Sequence, residues 1–357
     1  MKTQQPYIIF EITTDCNLNC RYCYNVWKMP LTYTSSPLME EGDTQYSAHP
    51  KRILQDKKFN SYNQVMKTLK KLFGIADVHH VTMTGGEPFL AERFSEIVLF
   101  CRMKNKEITI ISNGNAGTKE DYKQMLEMGV SLFEFPLHSN IPSIHDYLTT
   151  VKGSWEKSLN SIKSVLKSGC MVVPVIVITK ANAHTVNDTI LFLKELGLNQ
   201  IMLNRFNIGG MGINEKENLL LSHKELKDVY KKANELGSKY DIFLTSNVCT
   251  PLCLLKPEDY PFIASSSCSA NASTMPMTLD IYGNIRLCNH SPVVAGNIFK
   301  DNFENILSSD YVKSWSKIIP DYCNSCDKYY RCFGGCRAAA EQLGLSLENP
   351  DPVLLLL

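Results

Sequence analysis

Glu11-Ile12-Thr13-Thr14-Asp15-Cys16-Asn17-Leu18-Asn19-Cys20-Arg21-Tyr22-Cys23-Tyr24 is the stretch from which the rest of the chain can be read. Its C-x3-C-x2-C spacing offers three thiolates. Three thiolates can hold three irons of a [4Fe-4S] cube and leave the fourth iron open to a substrate or cofactor, whereas a cluster that only carries electrons normally has a fourth ligand. The run from Tyr7 to Thr13 is apolar and β-branched, which predicts a strand. Cys16, Cys20 and Cys23 then fall on the loop at its carboxyl end, where α/β folds assemble active sites. Short cysteine spacings also bind zinc. A zinc site needs a fourth ligand nearby, and His79 and His80 stand far along the chain.

A second segment narrows the reading. Val78 to Met83 is again strand-like and runs into Thr84-Gly85-Gly86-Glu87-Pro88. Paired glycines let a backbone come close to a ligand, and Glu87 can hold a cation. Together, the cysteine triplet and the Gly-Gly-Glu-Pro segment resemble the radical S-adenosylmethionine enzymes. The resemblance implies that the open iron chelates the amino and carboxylate groups of S-adenosylmethionine. It also implies that Gly85, Gly86 and Glu87 bind the amino group and that Tyr22 packs on adenine. One electron from the cluster would cleave the cofactor to methionine and a 5'-deoxyadenosyl radical, which takes a hydrogen atom from an unactivated carbon.

Apolar or β-branched runs recur at residues 7–13, 78–84, 107–112, 132–137, 172–179 and 200–205. They alternate with helical stretches around 62–73, 91–104, 119–129, 155–168 and 187–196. Six strand-helix repeats predict an α/β fold with a parallel sheet. Periodicity alone fits an open doubly wound sheet equally well, and the family resemblance favours a partial (β/α)6 barrel over residues 1–210. Polar turns after the strands would rim one mouth. Among them, Ser112 and Asn113 are implied by the resemblance as cofactor contacts, although Asn-Gly turn chemistry explains both residues as well. After the fourth strand many relatives have a Ser-Leu pair. Here Pro136-Leu137-His138-Ser139 stands instead, with His138 and His145 read as satisfied structural histidines on a rim loop. Residues 28–60 read as a surface insertion or flap, and 211–248 as a helical linker.

Beyond residue 245 cysteines return: Cys249, Cys253, Cys268, Cys288, Cys323, Cys326, Cys332 and Cys336. Eight thiolates match two fully ligated four-iron clusters, and C-x2-C with C-x3-C is also zinc-like. Gly283 lies between Cys268 and Cys288, and Cys323-x2-Cys326-x5-Cys332-x3-Cys336 follows. Residues 249–345 thus resemble the SPASM domain, the auxiliary-cluster extension of radical enzymes that modify peptides. The resemblance assigns one cluster to Cys268, Cys288, Cys336 and either Cys249 or Cys253. It assigns the second to Cys323, Cys326, Cys332 and a later cysteine. No cysteine follows Cys336. The second cluster is therefore expected to be incomplete or to take an oxygen ligand such as Glu341 or Glu348, with the spare upstream thiol as the remaining option. Residues 346–357 read as a tail with an apolar end.

Composition sets the outer bounds. With 357 residues, 44% of them hydrophobic, the chain can fill a barrel-sized core. Lys+Arg of 37 against Asp+Glu of 36 gives a net charge of +1, so no nucleic-acid or anionic-membrane partner is expected. With no signal peptide and no apolar run near membrane-spanning length, a cytoplasmic protein is expected. There, thirteen cysteines read as metal ligands rather than disulfides, while Cys101 and Cys170 read as buried small hydrophobes. The resemblance implies an oxidoreductase that installs a thioether or carbon-carbon crosslink in a precursor peptide. An external one-electron donor of flavodoxin or ferredoxin type would serve it. With no further recognition domain expected before residue 5, a leader peptide would bind the barrel, the insertion or a separate leader-binding protein. A peptide epimerase, an anaerobic sulfatase-maturing enzyme and a non-catalytic metal scaffold are the alternatives.

Overall fold

The computed structural model describes residues 2–28, 61–268 and 275–355, so all of the expected flap beyond Lys28 lies outside the described residues. The main sheet has 11 strands. In chain order they are β1 (Tyr7–Thr13), β2 (His80–Gly85), β3 (Glu107–Ile111), β4 (Leu132–Pro136), β5 (Met171–Ile178), β6 (Gln200–Arg205), β7 (Phe243–Ser246), β8 (Ile263–Ser265), β9 (Thr278–Asp280), β10 (Asn284–Arg286) and β11 (Val294–Asn297). The spatial order is β8-β7-β6-β5-β4-β3-β2-β1-β9-β10-β11.

From β1 to β8 each strand is added beside the last, and every pairing is parallel. That order decides between the two architectures. Right-handed crossovers advancing always in one direction put their helices on one face. A doubly wound sheet needs the order to reverse at a switch point, and here it never does. The sheet is therefore an open partial barrel, with β8 and β11 as its two edges.

Strand alternation gives the barrel a dry outer layer and a polar inner one. Ile8, Phe10 and Ile12 of β1, Val81 and Met83 of β2, Ile108 and Ile110 of β3, and Phe133 and Phe135 of β4 are all 0% exposed. They belong to one core with Leu69 and Leu72 of helix α1 (Tyr62–Ile75) and Ile97 and Val98 of helix α2 (Phe94–Met103). Each such side chain contributes about 2 kcal/mol on burial, so this seam holds the helices to the strands. The alternate positions include Tyr7, Glu11, Thr82, Thr109 and Glu134. A polar inner face is what a barrel needs when it is to receive a substrate.

Helix ends follow local chemistry. Thr118 and Asp121 form a reciprocal cap on α3 (Lys119–Glu127), as Ser222 and Glu225 do at the start of the 18-residue helix His223–Tyr240. That long helix lies in the segment expected to be a linker, and β7 follows it directly, paired parallel with β6. The alternation expected to end at 245 thus continues through β8. Helix α4 (Pro142–Thr149) begins with Pro142 in its first turn, a favoured place for proline. It occupies what the sequence suggests is a loop. At the other edge β9 pairs parallel with β1, then β10 and β11 turn back antiparallel. A buried ion pair between Glu11 and Arg286 ties β1 to β10. No helix among the described residues is long and apolar enough to cross a membrane.

Candidate active site

The loop leaving β1 carries Cys16, Cys20 and Cys23, all half-buried. A tight turn holds them: the Cys23 N–H donates to the Cys20 carbonyl at 3.1 Å, and the Arg21 N–H to Leu148 at 2.9 Å. Asn25 Nδ2 donates to the Gly85 carbonyl at 2.9 Å and Lys28 Nζ to that of Leu18 at 3.1 Å. Burial pushes the Cys20 thiol up to about 12, with Cys23 and Cys16 beside it adding to the rise. Burial also raises Cys23. Thiols crowded into a dry loop resist ionisation unless a cation is bound among them, which suits a donor set for an iron cluster.

Behind this loop the Gly-Gly-Glu segment acts as a clasp. A Cβ on Gly85 would stand 2.3 Å from the Thr13 carbonyl oxygen, and one on Gly86 2.0 Å from that of Asp15. At both glycines the backbone of the cysteine loop comes this close, and Gly86 and Glu87 donate to it N–H bonds of 2.7 Å. Glu87 is 0% exposed. Its carboxylate, expected to meet a cation, accepts from Ser112 Oγ at 2.8 Å, the Asn113 N–H at 2.7 Å and the Phe89 N–H at 3.2 Å. Burial raises it to about 7 against those three donors. Ser112 therefore engages Glu87, and its oxygen also accepts from the Gly114 N–H at 3.0 Å. Asn113 reaches the loop itself, with Nδ2 2.8 Å from Asn17 Oδ1 and 3.7 Å from Cys16 Sγ.

Tyr22 lies edge-on to His138, ring centroids 4.5 Å apart, and His138 stacks on His145 at 5.2 Å. Both histidines are 0% exposed. His138 Nδ1 accepts the Val177 N–H and His145 Nδ1 accepts the His138 N–H, each at 3.2 Å. Each neutral ring therefore carries its proton on Nε2, and neither Nε2 has a partner among the described residues. They are half-satisfied, not satisfied as expected, and burial holds His145 down at about 4. His145 sits on α4, not on a loop.

Glu134 is a group that sequence reasoning passed over. On β4 it alternates with the outward Phe133 and Phe135, and burial lifts its carboxyl from 4.5 to about 7. Its charge is felt by Tyr7 and Tyr24. Because the folded state holds this proton more tightly than the unfolded chain does, its contribution is fully present below about pH 4.5 and lost as pH rises through 7. Glu134→Gln is expected to flatten that slope and to raise stability at pH 8 by up to about 3 kcal/mol. Denaturant unfolding at pH 4.5 and pH 8 measures it, and an unchanged difference between the two would refute the assignment.

The eight later thiols divide into two neighbourhoods. The Cys268 thiol hydrogen-bonds to Cys249, which with burial holds it up, and Cys336 and Cys288 act on it from nearby. Cys336, raised by burial, is acted on by Cys249 and Cys288 in turn. Cys323 is pushed up to about 11 by burial, with Cys332, Cys326 and Cys253 adding to it. Among the described residues no group of three or more His, Cys, Asp or Glu side chains is arranged to hold a metal ion. A four-iron cube is wider than one ion, so its thiolates stand further apart than those of a zinc site. Glu341, expected as an oxygen ligand of the second set, instead accepts from Ser291 Oγ at 2.9 Å and Tyr311 Oη at 2.6 Å and lies near Cys288. Glu348 is exposed. Cys101 and Cys170 are buried as expected.

Residues that no motif announces bind the two regions together. Arg205, at the end of β6, pairs with Asp351 and donates to the Cys249 carbonyl at 2.8 Å. Asp351 accepts the Cys336 N–H at 2.8 Å. Gln342 Nε2 donates to the Tyr24 carbonyl at 2.8 Å and its Oε1 accepts the Gly210 N–H at the same distance. Asn289 Nδ2 donates to Tyr24 Oη at 2.6 Å. The cysteine-rich part thus grips the first cysteine loop directly.

A parallel β/α sheet with three thiols on the first strand-end loop defines a class, and the comparisons agree with it. The Radical SAM superfamily profile matches residues 10–193, and the chain belongs to that superfamily. It is 25% identical over 335 residues to the antilisterial bacteriocin subtilosin biosynthesis protein AlbA of Bacillus subtilis (strain 168), covering 91% of this chain and 65% of that protein. The chain thus spans slightly less than two thirds of that relative's length. It is 21% identical over 357 residues to the PqqA peptide cyclase of Xanthomonas campestris pv. campestris (strain 8004), covering 97% and 85% of the two chains. Among solved structures, Streptococcus suis SuiB bound to precursor peptide SuiA superposes with a TM-score of 0.68 at 14% identity, covering 97% and 75%. Native anSMEcpe with bound AdoMet gives 0.68 at 18%, covering 95% and 92%. At those identities the structural likeness is one of fold.

Proposed function

We propose that this chain is a radical S-adenosylmethionine enzyme that installs an oxidative crosslink, a thioether or a carbon-carbon bond, in a ribosomally made precursor peptide. The observation that carries it is the loop of Cys16, Cys20 and Cys23 clasped against Gly85-Gly86-Glu87 at the open end of a polar-lined barrel. Similarity to AlbA and to the PqqA peptide cyclase supports a peptide substrate. The two groups of four thiols support two auxiliary clusters.

When bound, the reduced cluster and S-adenosylmethionine supply a 5'-deoxyadenosyl radical that takes a hydrogen atom from a peptide carbon. The protein binds, orients and excludes water. Cys16, Cys20 and Cys23 would hold the cluster, and Glu87 locks the β2 and β3 loops through Ser112 and Asn113. Asn113 Nδ2 donates toward Cys16 Sγ, and Tyr22 would offer its ring to adenine. A crosslink also requires a second hydrogen to leave as a proton and an electron. Glu134, an inner-face carboxyl that binds a proton near neutrality, is suited to take the proton, and the auxiliary thiols would hold a cluster able to accept the electron. A flavodoxin- or ferredoxin-type donor supplies the priming electron, and a separate protein is a candidate for holding the leader peptide.

Anaerobic incubation with short peptides encoded by any small open reading frames neighbouring the gene, followed by mass spectrometry, tests this reading. The expected product has lost two hydrogens. An unchanged mass with deuterium taken up from labelled water, or conversion of a Cys or Ser to formylglycine, would overturn the crosslink.

A further inference from the structure

Cys253 occupies a position that sequence order does not explain. The second thiol set has Cys323, Cys326 and Cys332 from one short run. The segment 249–253, separated from that run by some seventy residues of chain, lies directly on it. The Leu252 N–H donates to Cys332 Sγ at 3.3 Å. Pro251 packs on Gly335 so closely that a Cβ there would stand 2.6 Å from Pro251 Cγ. Gly335 has φ +84°, a backbone conformation that glycine adopts without strain. Cys253 consequently stands among Cys332, Cys326 and Cys323, each within electrostatic reach of it. Cys249, four residues earlier, stands instead beside Cys268, Cys288 and Cys336.

We propose that Cys253 is the fourth thiolate of the second auxiliary cluster, beside Cys323, Cys326 and Cys332. The inference rests on the auxiliary-cluster reading above and deepens it. It makes the two sites interlocked: segment 249–253 gives one thiol to each cluster, and segment 332–336 does the same. Two five-residue bridges in contact through Pro251 and Gly335 then fix the separation of the clusters and cross-link β7 to the C-terminal run. Both clusters become fully thiolate-ligated. Cys253 is then no longer free to return a hydrogen atom to a substrate, which removes the spare thiol that an epimerase would use.

The test uses the full chain carrying Cys16→Ala, Cys20→Ala and Cys23→Ala, reconstituted anaerobically so that only the auxiliary clusters report. About eight irons per chain are expected. Adding Cys253→Ser is expected to remove about one iron on mild oxidation and to produce a three-iron electron paramagnetic signal from one cluster, the other cluster's signal remaining unchanged. Retention of all eight irons with an unaltered spectrum would overturn the ligand assignment alone. A background protein with no iron would overturn the auxiliary-cluster reading, and this assignment with it. Alkylation mass spectrometry on the unsubstituted chain avoids any folding defect in the variant. Cys253, which is exposed, is expected to be labelled in the apoprotein and protected after reconstitution. Equal labelling in both states would also overturn the proposal.

Discussion

Cys16→Ala is expected to lower reductive cleavage of S-adenosylmethionine to the rate seen without protein, a loss of at least about three orders of magnitude, or about 4 kcal/mol of barrier. Two thiols do not hold a cube that three hold with one iron open. The loss should appear together with a drop of about four irons per chain in reconstituted protein, the auxiliary irons staying in place. Chromatographic assay of 5'-deoxyadenosine under dithionite reads the first quantity and iron and sulfide analysis the second. Cleavage that survives the substitution would refute the radical assignment. Cys101→Ala is the control: that thiol is 0% exposed within the core, so its loss leaves iron and cleavage unchanged and costs only a small cavity.

Asp351→Ala is expected to be the most destabilising single change in the cysteine-rich part. Arg205 and Asp351 are 2% and 1% exposed. Removing the carboxylate leaves a buried guanidinium uncompensated, which costs about 3–5 kcal/mol. The Cys336 and Val353 N–H groups also lose their acceptor. Urea unfolding should show a lowered midpoint. Arg205→Met/Asp351→Leu, which removes both charges, should recover most of the loss because no charge is stranded. A single variant as stable as the parent would show that the pair does not hold the C-terminal segment to β6. Residues 346–357, read as a tail with an apolar end, pack against the body as far as they are described: Pro352 and Val353 are buried, and His223 Nε2 meets the Val353 carbonyl at 2.9 Å.

Much of the barrel is legible in the chain because its signals are local. The strand at 200–205 coincides with its expected bounds, and β1 and β3 to β5 agree within a residue, since β-branched runs bounded by polar turns need no distant partner to be recognised. Helix α4 is not legible. His138 and His145 read as residues of a rim loop, and what favours helix there is tertiary, the burial of Leu148 and His145 beneath the rim. β7 and β8 are three or four residues long and exist because β6 offers an unpaired edge. The role of Gly85 and Gly86 is half legible: two glycines signal close approach, but that the approaching atoms belong to Thr13 and Asp15 depends on β1 and β2 being neighbours.

The sequence by itself determined the family motif. Spacing decides which thiols can share one loop, and Cys16, Cys20 and Cys23 on a strand-end turn lie within the match to the Radical SAM superfamily. It likewise determined the repeating β/α order, through hydrophobic periodicity. Only the tertiary structure decided that the sheet winds in one direction, that Glu87 clasps Ser112 and Asn113, that Arg205 meets Asp351, and that Cys249 and Cys253 face different partners. Each of those facts joins residues from about 25 to nearly 150 positions apart. Periodicity and spacing report a residue's neighbours within a turn or a strand, and contacts at that range are made only when the whole sheet brings its strand ends to one rim.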